Sequence, residues 1–255
     1  MTEHITSLKN PKIQAWKALK DRKGRKESGC FLVEGRKMVE EALASSFHVE
    51  TVLADADRLG EFALPAGVPL VTMPAHVLAA VCDTKTPQGI AAVVRLQEAP
   101  ALGQRLVALD GVQDPGNVGT ILRTADAAGF CGVLLSQQCA DVFSPKVLRA
   151  TMGSIFRMAI RVTEDLPGEL AILREGGTSI ISSQLDGEPF YSRSPVGERF
   201  VLIIGNEGNG VSDGVKAQAT HRVRLPMRGG AESLNAAVAA GIMMYELTRD
   251  LPDVT

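Results

Sequence analysis

The 255-residue sequence predicts an α/β protein of two domains, a small leading domain followed by a larger one built on a parallel sheet. The length exceeds that of one average domain, so two cores are expected. Short apolar runs alternate with helical stretches along the chain, which is typical of α/β folds. Hydrophobic residues make up 45% and charged residues 22% of the chain, a composition that fills such cores and excludes intrinsic disorder.

Residues 1–97 are expected to form the leading domain. A basic helix is predicted over residues 10–26, where Asn10 suits the N-cap and Pro11 the first turn. A second helix is indicated over residues 37–45. The β-rich runs that alternate with the helices are 31–33, 49–54, 68–73 and 90–96.

Residues 98–104 are predicted to link the domains, because they carry Pro100 and Gly103 and no periodic pattern. Residues 105–255 then form the second domain. A closing helix over residues 235–249 is apolar nearly all round, so we expect it to be buried, in part against a second subunit. The continuous apolar runs, typical of parallel strands covered on both faces, are 106–109, 132–135, 179–182 and 200–204.

Metal sites and membrane segments are not expected. The cysteines form no Cys-x-x-Cys pair and the histidines are scattered, so neither a disulfide framework nor a zinc or iron centre is predicted. No apolar run approaches the roughly 18 residues that span a bilayer. The polar N-terminus lacks the apolar core of a signal peptide, and we expect a cytoplasmic protein.

Positive charge is concentrated in the first 37 residues, although the whole chain carries a net charge of −2. Ten lysines and arginines stand there against four acids, which is typical of a phosphate-binding surface. A solvated basic helix would have the same composition, so charge alone leaves both interpretations open. Read as a nucleic-acid surface, the stretch offers these RNA contacts: Lys20, Lys23, Lys26 and Arg36.

Three loops after predicted strands carry residues suited to ligand binding, and ligands of open parallel sheets bind at the carboxyl ends of strands. The first loop runs from Asp110 to Arg123, with a helix beginning near Asn117. The alternative is a purely structural role, in which Asn117 is only an N-cap and Arg123 is a surface residue paired with Asp126.

The second loop, residues 205–212, contains three glycines that allow a ligand to approach the backbone closely. It matches neither the P-loop nor the dinucleotide fingerprint, so ATP and ordinary NAD sites are disfavoured. A glycine-rich turn with Glu207 in solvent is the alternative. The third loop, residues 225–235, ends where the closing helix begins, so Ser233 or Asn235 could simply cap that helix.

The three loops, in this order and spacing, resemble the signature motifs of the SpoU (TrmH-like) RNA 2′-O-methyltransferases of the SPOUT superfamily. The matching stretches are residues 117–125, 205–208 and 233–239. The resemblance covers residues 105–250. It extends to the leading domain, where residues 5–12, 31–35 and 86–89 resemble a small substrate-binding domain similar to ribosomal protein L30e.

This resemblance implies a second domain threaded into a trefoil knot, which physical rules alone would not suggest. It also implies a homodimer with sites near the subunit interface, an RNA partner, S-adenosylmethionine as the cofactor and no metal ion. The implied cofactor contacts are Gly205, Leu225, Met227, Ser233 and Leu234. The implied catalytic residues are Asn117, Arg123, Glu207, Ser233 and Asn235.

An enzyme of this kind must place a ribose hydroxyl in line with an activated methyl group and assist the loss of its proton. Arg123 is the family's candidate for that task. A guanidinium is a poor base, so we expect Arg123 to orient the hydroxyl and stabilise the alkoxide. Asn117 and Glu207 are expected to hold Arg123 and the substrate in place.

Two rival functions share this fold. A non-catalytic RNA-binding or ribosome-assembly factor is disfavoured because Arg123 and all three loops are present. A methyltransferase acting on a tRNA base is disfavoured because the motif over residues 117–123 points to ribose. The leading domain favours ribosomal RNA over tRNA as the substrate.

Overall fold

The computed structural model describes residues 3–97 and 101–251, which fold into two compact units. The first unit contains residues 3–97 together with Phe143–Arg157, and the second contains residues 101–142 and 158–251. Residues 98–100 of the predicted linker lie outside the described residues. Each unit combines helices with one sheet, and the predicted α/β class is confirmed.

The first unit is built on a mixed five-stranded sheet. Its strands are β1 (Glu3–His4), β2 (Cys30–Glu34), β3 (Val49–Asp55), β4 (Leu70–Met73) and β5 (Ile90–Arg95). They lie in the order β1-β4-β3-β5-β2, with β5 antiparallel to both β2 and β3. The helices are α1 (Pro11–Ala18), α2 (Arg22–Ser28), α3 (Arg36–Ala44) and α4 (Ala75–Val81), with a 3₁₀ helix at Ala56–Glu61.

The basic helix predicted over residues 10–26 is two helices, because the chain turns between α1 and α2. Leu19 is buried at this turn. The Arg25 guanidinium donates hydrogen bonds to the carbonyl oxygens of Leu19 and Lys20, at 2.6 and 2.8 Å. These are acceptors that the end of α1 would otherwise leave unsatisfied. Arg25 is only 4% exposed, so one of the ten basic residues of the leader serves the fold rather than a ligand.

The second unit is built on a six-stranded sheet in which every pairing is parallel. Its strands are β6 (Arg105–Asp110), β7 (Gly132–Ser136), β8 (Ala159–Thr163), β9 (Ser179–Pro189), β10 (Phe200–Gly205) and β11 (His221–Arg224). The order is β11-β9-β10-β6-β7-β8. The four predicted strands are all present. The unpredicted strands β8 and β11 lie at the two edges, where partial exposure weakens the apolar pattern.

Helices of 4 to 13 residues lie between and after these strands. They are α5 (Pro115–Ala127), α6 (Pro145–Thr151), α7 (Leu166–Glu175), α8 (Asp213–Lys216) and α9 (Ala236–Leu247). The core beneath α7 combines Leu170 with strand residues such as Leu106, Ile180 and Ile203. None of the helices within residues 3–97 and 101–251 is long and apolar enough to span a membrane.

The segment Phe143–Arg157, which includes α6, packs with the first unit through its aromatic rings. The ring of Phe31 lies 4.9 Å from that of Phe143 and 6.3 Å from that of Phe156. Two ion pairs join the same segment to leading residues: Arg149 with Asp83 and Arg157 with Glu41. This grouping differs from the expected uninterrupted domain over residues 105–255, because contacts so distant in sequence leave no local pattern.

The closing helix α9 is buried on one face only within a single chain. Ala237, Ala240, Met243 and Met244 are buried, and α9 packs against α5. The exposed side chains of the other flank are Val238 (51%), Ile242 (37%) and Tyr245 (55%). The expected burial on all sides is therefore not reached within one chain.

Candidate active site

The loops that follow β6 and β10 begin side by side, because these strands are hydrogen-bonded neighbours with Asp110 opposite Gly205. Strands β7 and β8 follow β6 on one side of the sheet, whereas β9, β10 and β11 lie on the other side of β6. Ligands of open parallel sheets bind where the strand order reverses in this way. The first two predicted loops therefore meet at the position in the sheet that favours a ligand site.

A chain of side-chain hydrogen bonds connects the three predicted loops. The Asn235 amide donates to Oδ1 of Asn117 at 2.9 Å, and the Asn117 amide donates to Oε1 of Glu207 at 2.9 Å. Glu207 also accepts from the backbone N–H groups of Gln113 and Asp114, at 3.2 and 3.3 Å. Each of the three side chains is thus oriented by a residue of another loop.

Asn117 is available for these contacts because it does not cap its helix. Helix α5 begins at Pro115, and the carboxylate of Asp114 accepts from the Asn117 N–H at 2.8 Å as the N-cap. The interpretation of Asn117 as the N-cap is therefore wrong. Its side chain instead bridges Glu207 and Asn235.

Glu207 carries a stable negative charge in this arrangement. Partial burial acts to raise the pKa of the Glu207 carboxyl, but hydrogen bonds from Asn117 and from backbone N–H groups outweigh it, so the pKa lies below its usual value. The carboxylate is consequently ionised at neutral pH. It acts as an acceptor that organises its neighbours, and it is not a proton donor there.

The loop after β10 holds Glu207 in place by folding back on itself. A Cβ on Gly205 would lie 2.3 Å from the carbonyl carbon of Gly210, so only glycine fits there. The Asn206 side chain accepts from two N–H groups of the turn, at 2.9 and 3.0 Å. Its amide donates to the carbonyl of Gly111 at 2.7 Å and so ties this loop to the one after β6.

A cavity of about 640 Å³ lies at the loop that follows β11. Its volume is within the roughly 300–1,000 Å³ that is typical of small-molecule sites. The lining is Tyr191, Leu225, Pro226, Met227, Arg228, Leu234 and Ile242. The structure thus brings together three of the predicted cofactor contacts, Leu225, Met227 and Leu234, whereas Gly205 and Ser233 are not among the lining residues.

Four lining residues are not among the predicted cofactor contacts. Tyr191 follows β9, and it reaches the cavity because β9 pairs with β11. Ile242 comes from the exposed flank of α9. Pro226 and Arg228 alternate with predicted residues of the third loop, so the composition of that loop alone could have indicated them.

Arg123 and Ser233 are exposed and take no part in the hydrogen-bonded chain. Within the described part of the chain, Asn117 and Glu207 bind each other, Asn235 and backbone groups, not Arg123 as expected. Of the two candidate caps of α9, Asn235 is the one used. Its Oδ1 accepts from the N–H groups of Ala237 and Val238, at 2.9 and 3.2 Å.

The predicted RNA contacts of the leader differ in how strongly the fold holds them. Lys23 and Lys26 are exposed on α2. Lys20 is half-buried, and its ammonium donates to the carbonyl of Ala80 at the end of α4, at 3.0 Å. Arg36 is exposed at the start of α3, with its guanidinium 5.2 Å from the ring centroid of Phe62. Two ion pairs complete the set: Lys23 with Glu27 and Arg36 with Glu61, both at 3.8 Å.

Within residues 3–97 and 101–251, no group of three or more His, Cys, Asp or Glu residues is suited to hold a metal ion. Burial raises the pKa of Cys30 and of Cys139 and raises that of Cys82 to about 12. These thiols are therefore neutral and pack as small hydrophobic groups.

Known proteins similar to this chain share both units. Residues 104–245 match the SpoU rRNA Methylase family, and residues 10–92 match the MRM3-like substrate binding domain. The chain is 39% identical to the 23S rRNA (guanosine(2553)-2′-O)-methyltransferase RlmP of Bacillus subtilis, over 96% of this chain and 99% of that relative. It is 34% identical to the 23S rRNA (uridine(2479)-2′-O)-methyltransferase of Streptomyces viridochromogenes, over 96% and 91% of the respective chains.

Solved structures show the same similarity. The AdoMet-bound rRNA methyltransferase from Sinorhizobium meliloti superposes with a TM-score of 0.86 at 31% identity, covering 99% of each chain. The match includes both the three-loop unit and the leading unit. It extends over nearly the whole chain rather than over one motif.

Proposed function

The chain belongs to the SpoU rRNA methylase family and is an S-adenosylmethionine-dependent RNA 2′-O-ribose methyltransferase; we propose that its substrate is 23S ribosomal RNA. Two relatives that cover nearly the whole chain are named for 23S rRNA, although for different nucleotides. The leading unit matches a substrate-binding domain. An rRNA substrate also supports the expectation of a cytoplasmic enzyme.

The observation that carries the site assignment is the chain of hydrogen bonds from Asn235 through Asn117 to Glu207, next to an apolar cavity. The cavity fits S-adenosylmethionine in volume and chemistry, because apolar side chains suit the adenine ring and Arg228 suits a carboxylate. Leu225, Met227 and Leu234 would line the bound cofactor. Gly205 and Ser233 are proposed as further contacts from the neighbouring loops.

Bound S-adenosylmethionine supplies a methyl group that its sulfonium already activates. The chain must therefore orient a ribose hydroxyl and stabilise the alkoxide that forms as the proton leaves. We assign this role to Arg123, whose exposed guanidinium can contact the hydroxyl and an adjacent phosphate. A guanidinium stays protonated in proteins, so it stabilises negative charge rather than removing the proton.

Asn117, Glu207 and Asn235 are proposed to hold the loops in the geometry that this step needs. Their hydrogen bonds are mutual, and Glu207 adds a fixed negative charge that can attract a cation of the site. Ser233 is exposed two residues before the cap of α9, where its hydroxyl can reach a ligand. On the leading unit, Lys23, Lys26 and Arg36 remain proposed RNA contacts, whereas Lys20 is tied to Ala80.

A homodimer is proposed because the flank of α9 that carries Val238, Ile242 and Tyr245 is apolar and exposed. Ile242 belongs both to this flank and to the cavity lining. Helix α5, which carries Arg123, also packs against α9. A second copy on this flank would therefore lie close to the proposed site.

The test is methyl transfer from labelled S-adenosylmethionine to an unmodified transcript of bacterial 23S rRNA. Ribose methylation blocks alkaline cleavage, so the expected product is an alkali-resistant dinucleotide that carries the label. A total tRNA transcript pool is the matched control and is expected to accept much less label. Label confined to bases, or greater transfer to tRNA than to rRNA, would contradict the proposal.

A further inference from the structure

Strand β11 presents a pair of arginines on its outer face. Arg222 and Arg224 are exposed, and Val223 between them is fully buried, as the alternation of a strand requires. β11 is an edge strand that pairs only with β9, so no further strand covers it among the described residues. Because they are two positions apart along the strand, their Cα atoms lie about 7 Å apart.

Arg228 adds a third guanidinium beyond the end of β11. It is exposed, and it is the charged residue among those that line the cavity. Arg222, Arg224 and Arg228 together are named the β11 arginine row. The row thus begins on the sheet edge and ends at the proposed cofactor cavity.

The row is not neutralised by the fold. Within residues 3–97 and 101–251, no Asp or Glu oxygen lies within 4.0 Å of any of its guanidinium groups. Glu188 lies opposite Val223 in the register, and its carboxylate accepts instead from the backbone N–H of Ser194 at 3.3 Å. Nε of Arg224 donates to the carbonyl of Gly187 at 3.1 Å, which holds that side chain against β9.

We propose that Arg222 and Arg224 of the β11 arginine row bind the phosphodiester backbone of the substrate RNA and guide the strand to the cofactor cavity, where Arg228 faces the cofactor carboxylate. The inference rests on the proposed function. Adjacent guanidinium groups without carboxylate partners suit a row of phosphates, because each can donate two parallel hydrogen bonds to phosphate oxygens. This surface belongs to the second unit, whereas the basic leader belongs to the first.

The residue type of the row and its lack of acidic partners distinguish it from a set of charges that only solvates the surface. Arginine is less strongly hydrated than lysine and is favoured where phosphates are recognised. Two other cations of the second unit do have protein partners within their own neighbourhood: Lys216 pairs with Asp213, and Arg174 donates to the carbonyl of Ala217. Those two residues supply a control of equal charge in the same unit.

The experiment compares Arg222→Ala/Arg224→Ala with the control Arg174→Ala/Lys216→Ala in the full-length protein. RNA binding is measured with an unmodified 23S rRNA transcript at several salt concentrations, and steady-state kinetics give kcat and KM for the same transcript. Losing two phosphate contacts is expected to weaken binding about tenfold or more and to flatten the log–log salt slope by about 1.4. KM for RNA should rise while kcat and the affinity for S-adenosylmethionine stay within about twofold of wild type.

Arg222→Ala alone keeps the hydrogen bond of Arg224 to Gly187, so it tests the row without altering the local fold. It should flatten the slope by about 0.7. Equal RNA affinity and salt slope in the row variants and the control would overturn the proposal. Competition by poly-glutamate as strong as by RNA would overturn it too, since the row would then fit an acidic protein.

Binding is measured separately from methyl transfer, so the two proposals can fail separately. A wild type that binds the transcript but never methylates it would refute the proposed function, while the binding comparison still decides the role of the row. If the wild type methylates rRNA and the row variants bind RNA as strongly as the wild type does, only this inference is refuted.

Discussion

Asn117, Glu207 and Asn235 come from loops more than 25 residues apart in the sequence and meet through hydrogen bonds of 2.9 Å. The sequence already indicated a site at these residues, because they are polar and lie in loops that follow predicted strands. Their mutual contacts were not foreseen: Asn117 was expected to serve Arg123, and it bridges two other loops. At this scale the site is a preorganised support, and the exposed Arg123 takes no part in its hydrogen bonds.

Replacing Arg123 should separate chemistry from cofactor binding. Arg123→Ala is expected to lower kcat about 100-fold or more, because a charge-stabilising donor is lost, while the affinity for S-adenosylmethionine changes less than about twofold. Arg123→Lys should also be slow, since lysine lacks the planar fork. Single-turnover kinetics and calorimetry check this, with Arg199→Ala, another exposed arginine of the second unit, as the control. A collapse of cofactor affinity in Arg123→Ala would remove the residue from the catalytic role.

Glu207→Gln should lower stability in a pH-dependent way. The pKa of Glu207 is lower in the folded state than in the unfolded state, where it is about 4.3. The contribution of the carboxylate to stability is therefore fully present above the unfolded pKa and is lost as pH falls through the folded pKa. Because Glu207 is exposed, we expect a loss below about 1 kcal/mol at neutral pH. Thermal unfolding is measured at pH 7, 5 and 3.5. The difference in stability between the variant and wild type should be the same at pH 7 and pH 5 and smaller at pH 3.5. The control is Glu198→Gln, and a difference that disappears already at pH 5 would refute the carboxylate assignment.

Helices α1 and α2 show how one basic stretch divides its charges between folding and binding. Arg25 satisfies carbonyls at the end of α1, and Lys20 satisfies one at the end of α4. Lys23 and Lys26 remain exposed on α2. A count of charges cannot distinguish these four residues, because the turn between the two helices decides which side chains face solvent.

Lys23→Glu/Lys26→Glu should weaken RNA binding without changing cofactor affinity. The log–log salt slope of binding is expected to flatten by about 1.4, which corresponds to two phosphate contacts of a single strand. Lys20→Ala should instead lower thermal stability by about 1 kcal/mol, because it removes the hydrogen bond to Ala80. Filter binding over a salt series and thermal unfolding distinguish these effects. Unchanged RNA affinity in the double variant would show that the charges of α2 only solvate the surface.

At the scale of the whole molecule, the exposed flank of α9 is the feature that a single chain does not explain. A helix with exposed Val238 and Tyr245 is costly in water unless something covers it. The same chain has a substrate-binding unit and a methyltransferase unit, so a dimer would present two copies of each to one RNA.

The wild-type protein is expected to be a dimer, with twice the chain mass of 27.1 kDa in light scattering at micromolar concentration. Val238→Glu should shift it to the monomer, because a charge would be buried in the interface. Ile172→Glu is the matched control, since Ile172 is 69% exposed on α7 and lies outside α9. A monomeric wild type would refute the dimer, and a monomeric Ile172→Glu would show that the shift is not specific to α9.

Local patterns predicted much of the second unit. The four apolar runs became the four central strands, since strands covered on both faces read as continuous apolar segments. The family, the activity and the cofactor implied by the three loops are confirmed. The edge strands β8 and β11, the break between α1 and α2 and the contribution of Tyr191 to the cavity were missed, because each depends on contacts that the local pattern does not show. The trefoil knot and the dimer stay predictions.

The sequence by itself determined the alternation of elements, the position of the loops at strand ends and the identity of their polar residues, because periodicity and local turn chemistry are properties of neighbouring residues. Only the tertiary structure decided which loops meet. The adjacency of β6 and β10 brought Asn117 to Glu207, and the pairing of β9 with β11 brought Tyr191 to the third loop. The tertiary structure also decided which charges remain available, since burying Arg25 and leaving Arg222 exposed depends on packing and not on composition.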